Sequence, residues 1–452
     1  MKFKLETEFQ ETEIGKIPRK WKVVYLSELF EFHRGLSYRK NNLSPTQTSI
    51  RFVTINDLKK EGGWKREGES AYLAEGFKDK IEKKHVLKVG DLLIAITDMG
   101  KGFIIGAPLY INEDIRSQGE TLVYSMDLVK LQPKKQVNTL FYFYQLSWSK
   151  IREIMKSLAR GTNVLHLDLN LAQRIKLVEP PLNEQVRIAE IVSTVDRAIE
   201  VVDAGVVRLE GLKKALMREL LTGRIRVREE NGKPVFHRET EFQDTEIGKI
   251  PKEWKIYSIE EIFDLYKGTT PSTKEDKYWG GDIPFVTPTD ITALNEMNKI
   301  YLSTTEKYLT EEGRRSKSLR LIPRGSLLFT SRATIGYLAV NNVEVAINQG
   351  IIALIPKIKD LDVIYYYYYL TSVRKKLEEL AGGSTYKEIS MNTFRKLMIP
   401  HPPLEEQRKI AEILSTVNRA IELYREERVR LDRLKRGLMD LLLTGKIRVV
   451  ED

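Results

Sequence analysis

The stretch PPLNEQVRIAEIVSTVDRAIE at residues 180–200 returns as PPLEEQRKIAEILSTVNRAIE at residues 402–422. The match continues without a gap to LLTGRIRV and LLTGKIRV, so that about 30 of roughly 48 positions are identical. A second pair, ETEFQETEIGKIPRKWK at 6–22 and ETEFQDTEIGKIPKEWK at 239–255, shares about 14 of roughly 17 positions. A period above about 200 residues is too long for a solenoid. The chain is therefore predicted to repeat one plan twice, a globular part followed by a helical part.

Each helical part begins with a proline pair and acidic residues, which suit the start of a helix. It ends at Gly223 or Gly445, a natural stop. From about residue 183 to 221 such a helix is roughly 58 Å long. The apolar residues recur at alternating steps of four and three, the spacing of a heptad seam. In the first copy they are Ile188, Val192, Val195, Ile199, Val202, Val206, Leu209, Leu216 and Leu220, and in the second Ile410, Leu414, Val417, Ile421, Tyr424, Leu431, Leu438 and Leu442.

Three cations interrupt these seams: Lys213 in the first copy, Arg428 and Lys435 in the second. A lone helix would expose its seam to water, so the two helices are predicted to pack on each other. The alternative is that each packs separately on its own globular part. The charged outer faces are either solvated or dock further subunits, and the sequence leaves both open.

The globular parts diverge but keep short echoes, such as RFVTINDL at 51–58 with PFVTPTDI at 284–291, GDLLIAIT at 90–97 with GSLLFTSR at 325–332, and RSQGETLVY at 116–124 with INQGIIALI at 347–355. Each is a β-branched or aromatic run bounded by turn residues, which indicates a strand. The predicted fold class is therefore α+β, with two β-rich domains alternating with two long, antiparallel-packed helices in a pseudo-two-fold arrangement. The predicted bounds are 1–179 and 234–400 for the β-rich domains, and 180–233 and 401–452 for the helical regions.

Composition narrows the function. The net charge of +11 favours a polyanionic partner, because binding phosphates releases counterions. The absence of cysteine excludes disulfides, thiol catalysis and cysteine-ligated zinc, and the five histidines show no metal-site spacing. No phosphate loop, H-E-x-x-H or G-x-S-x-G motif is present. We expect a soluble, cytoplasmic protein with no catalytic residues, no metal and no cofactor of its own.

Candidate DNA-binding residues lie on predicted loops near glycines. Arginine, lysine and asparagine read base edges or grip phosphates. For any one of these residues, the alternative is that it belongs to a solvated turn without a binding role. Because the candidates form two sets at matching places in the two halves, DNA contact is favoured. The first half offers Arg34, Tyr38, Arg39, Lys40, Asn41, Asn42, Lys101, Arg160, Thr162 and Asn163. The second half offers Lys267, Thr269, Thr270, Lys274, Tyr278, Trp279, Arg332, Ser384, Thr385, Tyr386 and Lys387.

The aromatic runs LFYFYQL at 140–146 and IYYYYYL at 364–370 have two interpretations. Exposed aromatic side chains stack on bases, but aromatic residues inside a helix usually fill a core. Packing is the preferred interpretation here.

Two divergent β-rich domains that alternate with two near-identical helices, each opening P-P-L-x-E-Q-x-x-I-A, resemble the specificity subunits of type I restriction-modification systems. The resemblance covers essentially the whole chain. Its residues are Gly161-Thr162, Leu165, Leu169, Ile175, Pro180-Pro181-Leu182 and Glu184-Gln185. The second copy departs slightly, with Gly383-Ser384 for Gly-Thr.

The resemblance implies that each β-rich domain is a target recognition domain that reads one half of a split site in double-stranded DNA. It also implies that the helices set the spacing and hold two methyltransferase subunits, which bring S-adenosylmethionine, and that a nuclease-translocase subunit joins them. Two other classes remain open: a fused methyltransferase or nuclease, against which the missing motifs argue, and a coiled-coil scaffold with no DNA role.

Overall fold

In the computed structural model, the chain is described over residues 2–65, 70–100, 103–382 and 387–450. It folds into two compact units: the first comprises residues 1–200 with 429–452, and the second residues 201–428. Each unit contains a β-rich part and a portion of both long helices. No helix in the described part is long and apolar enough to cross a membrane.

The first unit is built mainly from short strands. Its strands are β1 (Lys2–Leu5), β2 (Phe9–Thr12), β3 (Gly15–Pro18), β4 (Lys22–Tyr25), β5 (Phe30–Arg34), β6 (Leu43–Ser44), β7 (Ile50–Val53), β8 (Tyr72–Leu73), β9 (Leu92–Ala95), β10 (Thr97–Asp98), β11 (Pro108–Tyr110), β12 (Thr121–Tyr124), β13 (Leu128–Pro133), β14 (Ala159–Arg160), β15 (Leu165–Leu167), β16 (Lys176–Glu179) and β31 (Ile447–Val450). Its short helices are α1 (Leu26–Leu29), α2 (Glu113–Arg116), α3 (Thr139–Ser147), α4 (Ser149–Ser157) and α5 (Leu169–Ala172).

The second unit repeats this plan. Its strands are β17 (Ile225–Glu230), β18 (Lys233–Arg238), β19 (Phe242–Thr245), β20 (Gly248–Pro251), β21 (Lys255–Ser258), β22 (Phe263–Lys267), β23 (Trp279–Val286), β24 (Tyr301–Leu302), β25 (Lys307–Leu309), β26 (Leu327–Thr330), β27 (Leu338–Asn341), β28 (Ala346–Ile347), β29 (Ile351–Pro356) and β30 (Met398–His401). Its short helices are α7 (Ile259–Ile262), α8 (Pro288–Glu296), α9 (Glu311–Ser316), α10 (Val363–Ser372), α11 (Arg374–Glu379) and α12 (Met391–Arg395).

The main sheets of the two units share a four-strand order, to which the second unit adds β24 at one edge. In the first unit the order is β5-β13-β9-β11, and in the second it is β22-β29-β26-β27-β24, so that β5 corresponds to β22 and β11 to β27. In each unit a second sheet contains one parallel pair, β12 with β7 or β23 with β28. The sequence echoes fall on these strands: 90–97 covers β9 and 325–332 covers β26. The divergent β-rich parts therefore share one scaffold.

The aromatic runs lie in α3 and α10 and face the cores. Tyr142 and Tyr144 are at most 2% exposed, and Tyr365 and Tyr366 are fully buried. Burial raises the pKa of Tyr365 well above its ordinary value, since a phenolate is costly in an apolar core. The interpretation of these runs as packing residues is confirmed.

The two long helices are α6 (Leu182–Leu220) and α13 (Leu404–Leu442), each of 39 residues. In the second unit Arg428 contacts Asp203, whereas Asn418 accepts a hydrogen bond from Lys213. The partner number on α13 falls as the number on α6 rises, so the helices are antiparallel. In the first unit Lys435 lies 2.6 Å from Asp196. The predicted α+β fold with two antiparallel-packed helices is confirmed.

A buried contact that we call the Glu–Arg–Trp clip fixes the start of each long helix. In the first unit the carboxylate of Glu184 accepts hydrogen bonds from Arg448 Nε at 2.6 Å and Trp21 Nε1 at 3.0 Å. In the second unit the same bonds, at 2.7 and 3.0 Å, join Glu406 to Arg226 and Trp254. These contacts tie each helix to the β-rich part of its own unit.

Candidate nucleic-acid interface

In both units a strand of the main sheet is followed by a glycine that is pressed against a neighbouring backbone. A Cβ atom on Gly35 would lie 2.2 Å from the carbonyl oxygen of Ser125, and one on Gly268 would lie 2.0 Å from that of Ile347. Only glycine permits this approach. The same close backbone approach therefore precedes the candidate loop in each half.

The candidates around Gly35 have two different environments. Four of them are exposed: Arg34, Arg39, Lys40 and Asn41. Tyr38 packs edge-on against Phe52, with ring centroids 4.8 Å apart. Burial, and the charge of Asp127 to a lesser extent, raises the pKa of the Tyr38 phenol. Tyr38 thus supports the core and leaves only part of its ring accessible.

The loop that carries Arg160, Thr162 and Asn163 is the tip of the hairpin β14–β15. Gly161 turns this tip with a φ of 119°, and a Cβ there would lie 2.1 Å from the carbonyl oxygen of Val164. The three candidate side chains are exposed. The structure thus brings these three candidates together on one exposed tip.

The hairpin β14–β15 pairs with β10, the strand that precedes the candidate Lys101 in the chain. β15 is the central strand of a three-stranded sheet, with β10 on one side and β14 on the other. His166 is in register with both Thr97 and Arg160. Its Nδ1 lies 3.4 Å from Thr97 Oγ1. The candidate Lys101 itself lies outside the described residues.

The second unit gathers its candidates around Glu388. This residue forms β-bridges with both Arg332 and Gly382, as His166 pairs with two strands in the first unit. Lys267 Nζ lies 2.6 Å from the Glu388 carboxylate. Lys387, next to it in the chain, is exposed. Three predicted cations thus lie close to Glu388: Lys267 through its ion pair, Arg332 through a β-bridge and Lys387 as its neighbour in the chain.

The echo of 90–97 with 325–332 matches Thr97 with Arg332. The strand pairing agrees, since Arg332 pairs with Glu388 as Thr97 pairs with His166. Thr97 rather than Lys101 is therefore the counterpart of Arg332. The candidates Ser384, Thr385 and Tyr386 lie outside the described residues.

The remaining candidates of the second unit lie along the loop after Gly268. Thr269 and Lys274 are exposed. The Thr270 hydroxyl accepts a hydrogen bond from Asn348 Nδ2 at 3.2 Å. The ring of Tyr278 has Lys277 Nζ 5.5 Å from its centroid. Trp279 donates its indole N–H to the backbone of Ser272, so its polar atom is engaged.

Sequence reasoning missed two residues of this surface, His166 and Glu388, and the buried Thr97 that pairs with His166. The signal was available, since Leu165-His166-Leu167 alternates apolar and polar residues as a half-exposed strand does. The described residues contain no group of three or more His, Asp or Glu that could bind a metal ion. The surface instead presents hydrogen-bond donors and acceptors of the kinds that contact base edges and phosphates.

Comparison with known proteins identifies the domain. The family model "Type I restriction modification DNA specificity domain" matches residues 18–204 and again 251–433. A putative type I restriction enzyme MjaX specificity subunit of Methanocaldococcus jannaschii is 29% identical over 99% of both chains. The MjaIX specificity subunit of the same organism is 40% identical over 44% of this chain and 46% of its own.

The fold has also been solved. The S subunit of a type I restriction-modification system from M. genitalium is similar with a TM-score of 0.60 and 14% identity, over 95% of this chain and 97% of that one. At this identity the likeness concerns the fold alone. The family match covers both repeats, however. The chain therefore belongs to the type I restriction-modification DNA specificity family, with the specificity domain present twice.

Proposed function

We propose that the chain is the sequence-specific DNA-binding subunit of a type I system and recognises a bipartite target, one half-site per β-rich domain. One observation carries this proposal: the two units repeat the same backbone frame but present different polar side chains on it. The exposed His166 of the first unit stands where Glu388 stands in the second, and the buried Thr97 stands where the half-buried Arg332 stands. One scaffold with two different surfaces suits the reading of two unlike sequences.

The proposed recognition domains are residues 1–179 and 234–400, and the proposed spacer regions are 180–233 and 401–452. The proposed contacts include exposed loop residues of both domains, together with the half-buried Arg332. The exposed ones are Arg34, Arg39, Lys40, Asn41, Arg160, Thr162 and Asn163 in the first domain, and Thr269, Lys274 and Lys387 in the second. The net charge of +11 supports binding to a polyanion, with an affinity that falls as salt rises.

In this proposal the chain performs no catalysis and directs other subunits to the target. The full-length relative is named as the specificity subunit of a restriction enzyme. By analogy, two methyltransferase subunits bind the helical regions and bring S-adenosylmethionine, and a restriction subunit joins them. The exposed charged faces of α6 and α13 are the proposed docking surfaces.

The test is to map modified bases in the genome of the cell that encodes the chain, with and without its gene. The proposal expects a split motif of two unlike half-sites that disappears with the gene and returns on complementation. Methyl transfer by the purified chain alone would instead indicate a fused enzyme. Unchanged modification, together with absent or salt-independent DNA binding, would indicate a scaffold.

A further inference from the structure

His166 occupies the centre of the small sheet in the first unit. It is in register with Thr97 on one side and Arg160 on the other. The next residue, Leu167, is only 4% exposed, and its N–H donates to the carbonyl of Ile96 at 2.8 Å. Successive side chains of a strand point to opposite faces. His166 accordingly points away from the core and is exposed.

Glu388 occupies the same place in the second unit. It bridges Arg332 on one side and Gly382 on the other. The next residue, Ile389, is 1% exposed, and its N–H donates to the carbonyl of Ser331 at 3.0 Å. The core-facing position is thus aliphatic in both units and makes the same hydrogen bond. Only the outward position changes its chemistry, from an imidazole to a carboxylate.

We infer that His166 and Glu388 are the specificity-determining residues of their respective domains, an inference that rests on the proposed function. Folding does not require the change, because the core-facing neighbour is aliphatic and the backbone pairing is equivalent in both units. Recognition does, because the two side chains select different partners. A neutral imidazole offers one donor and one acceptor, whereas a carboxylate only accepts.

The surroundings of Glu388 indicate the base pair that it reads. Lys267 Nζ lies 2.6 Å from its carboxylate, and the two side chains remain 37% and 31% exposed. The pair is therefore accessible from solvent and is free to exchange partners. A carboxylate accepts from the amino group of cytosine, and lysine or arginine donates to guanine. Glu388 with Lys267 or Arg332 thus matches a G·C pair in the half-site of the second domain.

The inference is tested in the cell that encodes the chain, by replacing its gene with E388Q or H166A and mapping modified bases across the genome. E388Q should relax one G·C position in one half-site, with discrimination reduced roughly 5- to 150-fold, the range expected for one good base contact. The other half-site should keep its sequence. H166A should relax one position in the half-site of the first domain and leave the half-site of the second domain unchanged. E344Q, which changes an exposed glutamate between β27 and β28 of the second domain, is the matched control and should leave the motif unchanged.

The outcomes separate this inference from the proposed function. If deletion of the gene leaves all modification in place, the proposed function fails. If deletion removes a split motif but E388Q and H166A leave that motif unaltered, only the inference is overturned. The charge-preserving variant E388D tests whether an effect of E388Q comes from a loss of structure. Loss of all modification by both E388Q and E388D would make Glu388 a structural residue and would also overturn the inference.

Discussion

The two units have the same Glu–Arg–Trp clip but differ in the seam between the long helices. In the first unit the lysine of the seam, Lys435, pairs with the carboxylate of Asp196 at 2.6 Å. In the second unit the equivalent lysine, Lys213, donates to the neutral side chain of Asn418. Both lysines lie over a tyrosine ring, 5.6 and 5.7 Å from its centroid. One residue, Asp or Asn, thus decides whether the half-buried lysine faces an opposite charge.

This difference shows which contacts tolerate change. Loss of the arginine from a clip leaves a buried carboxylate without its cation, which costs far more than breaking an exposed pair. Exchange of Asp for Asn in the seam keeps a hydrogen-bond acceptor for the lysine and changes only the free energy needed to keep the lysine protonated. Burial lowers the pKa of Lys213 to about 8, and Arg425 adds to this effect. Polar seam residues of this kind fix the register of paired helices.

The largest expected effect comes from breaking a clip. Arg226→Met should destabilise the second unit by about 3–5 kcal/mol, since it leaves the carboxylate of Glu406 buried and uncompensated. Arg448→Met should do the same to the first unit through Glu184. Hydrogen exchange of peptides from each unit, measured by mass spectrometry, reports the two effects separately.

The matched control is Arg218→Met, which removes an exposed arginine of α6 that forms an ion pair with the adjacent Glu219. It should change stability by less than about 1 kcal/mol. An effect of R226M no larger than that of R218M would contradict the assigned role of the clip.

Much of the fold follows from the sequence. The repeat and the heptad spacing predict two long helices, from about residue 183 to 221 and at the equivalent place, and the structure has them at Leu182–Leu220 and Leu404–Leu442. The core role of the aromatic runs follows from their helical setting. These features depend on local spacing, which one sequence displays directly.

The partners across elements could not be predicted. Lys213 interrupts the seam in the sequence, and only the register of the antiparallel helices reveals that Asn418 accepts its hydrogen bond. Likewise, His166 and Glu388 gain their meaning from strands far away in the chain. Contact between distant segments depends on pairing register, which composition and periodicity do not specify.

The seam predicts a difference in pH dependence. The pKa of Lys213 is about 8 in the folded chain and ordinarily 10.5, so the unfolded chain binds more protons between these values. The contribution of this lysine to stability should therefore rise as the pH increases from about 8 to 10.5, by at most about 3 kcal/mol. The measured quantity is the free energy of unfolding of the second unit in wild type minus that in K213M across this window.

The first unit supplies the comparison. The control is K435M, which removes the seam lysine that pairs with Asp196 and should leave the alkaline rise of the second unit in place. A rise in the second unit that persists in K213M would mean that another group titrates and would refute the assignment.

A smaller effect, at the level of recognition, should separate the two domains. Alanine at Arg160, Thr162 and Asn163 should weaken reading of one half-site, by about 1–3 kcal/mol for each side chain that touches a base, and leave the other half-site's preference intact. Alanine at Ser384, Thr385 and Lys387 should weaken reading of the other half-site and leave the preference for the first one intact. Selection of binding sites from random duplex DNA, at one salt concentration, measures both.

Phosphate contacts would appear differently in the same experiment, because their removal weakens binding uniformly across sequences and reduces its salt dependence. Wild-type affinity and specificity in both triple variants would remove these loops from the interface.

The smallest expected effect concerns two helical glycines. Gly437 on α13 occupies the place of Ala215 on α6, and a Cβ there would meet nothing within 4 Å. Gly437→Ala should stabilise the first unit by about 1 kcal/mol, the usual gain for alanine over glycine in a helix. Chemical unfolding of wild type and variant measures the gain.

Gly205 on α6 is the contrasting case, because a Cβ there would lie 2.2 Å from Cε1 of Tyr424. Gly205→Ala should not stabilise the chain, because the clash with Tyr424 offsets the gain of alanine over glycine in a helix. Replacement of Tyr424 by alanine in the same chain should restore that gain. Equal stabilisation by G437A and G205A alone would show that Tyr424 moves aside freely. The close approach of the helices at Gly205 would then impose no constraint, and the difference between the two glycines would have no structural meaning.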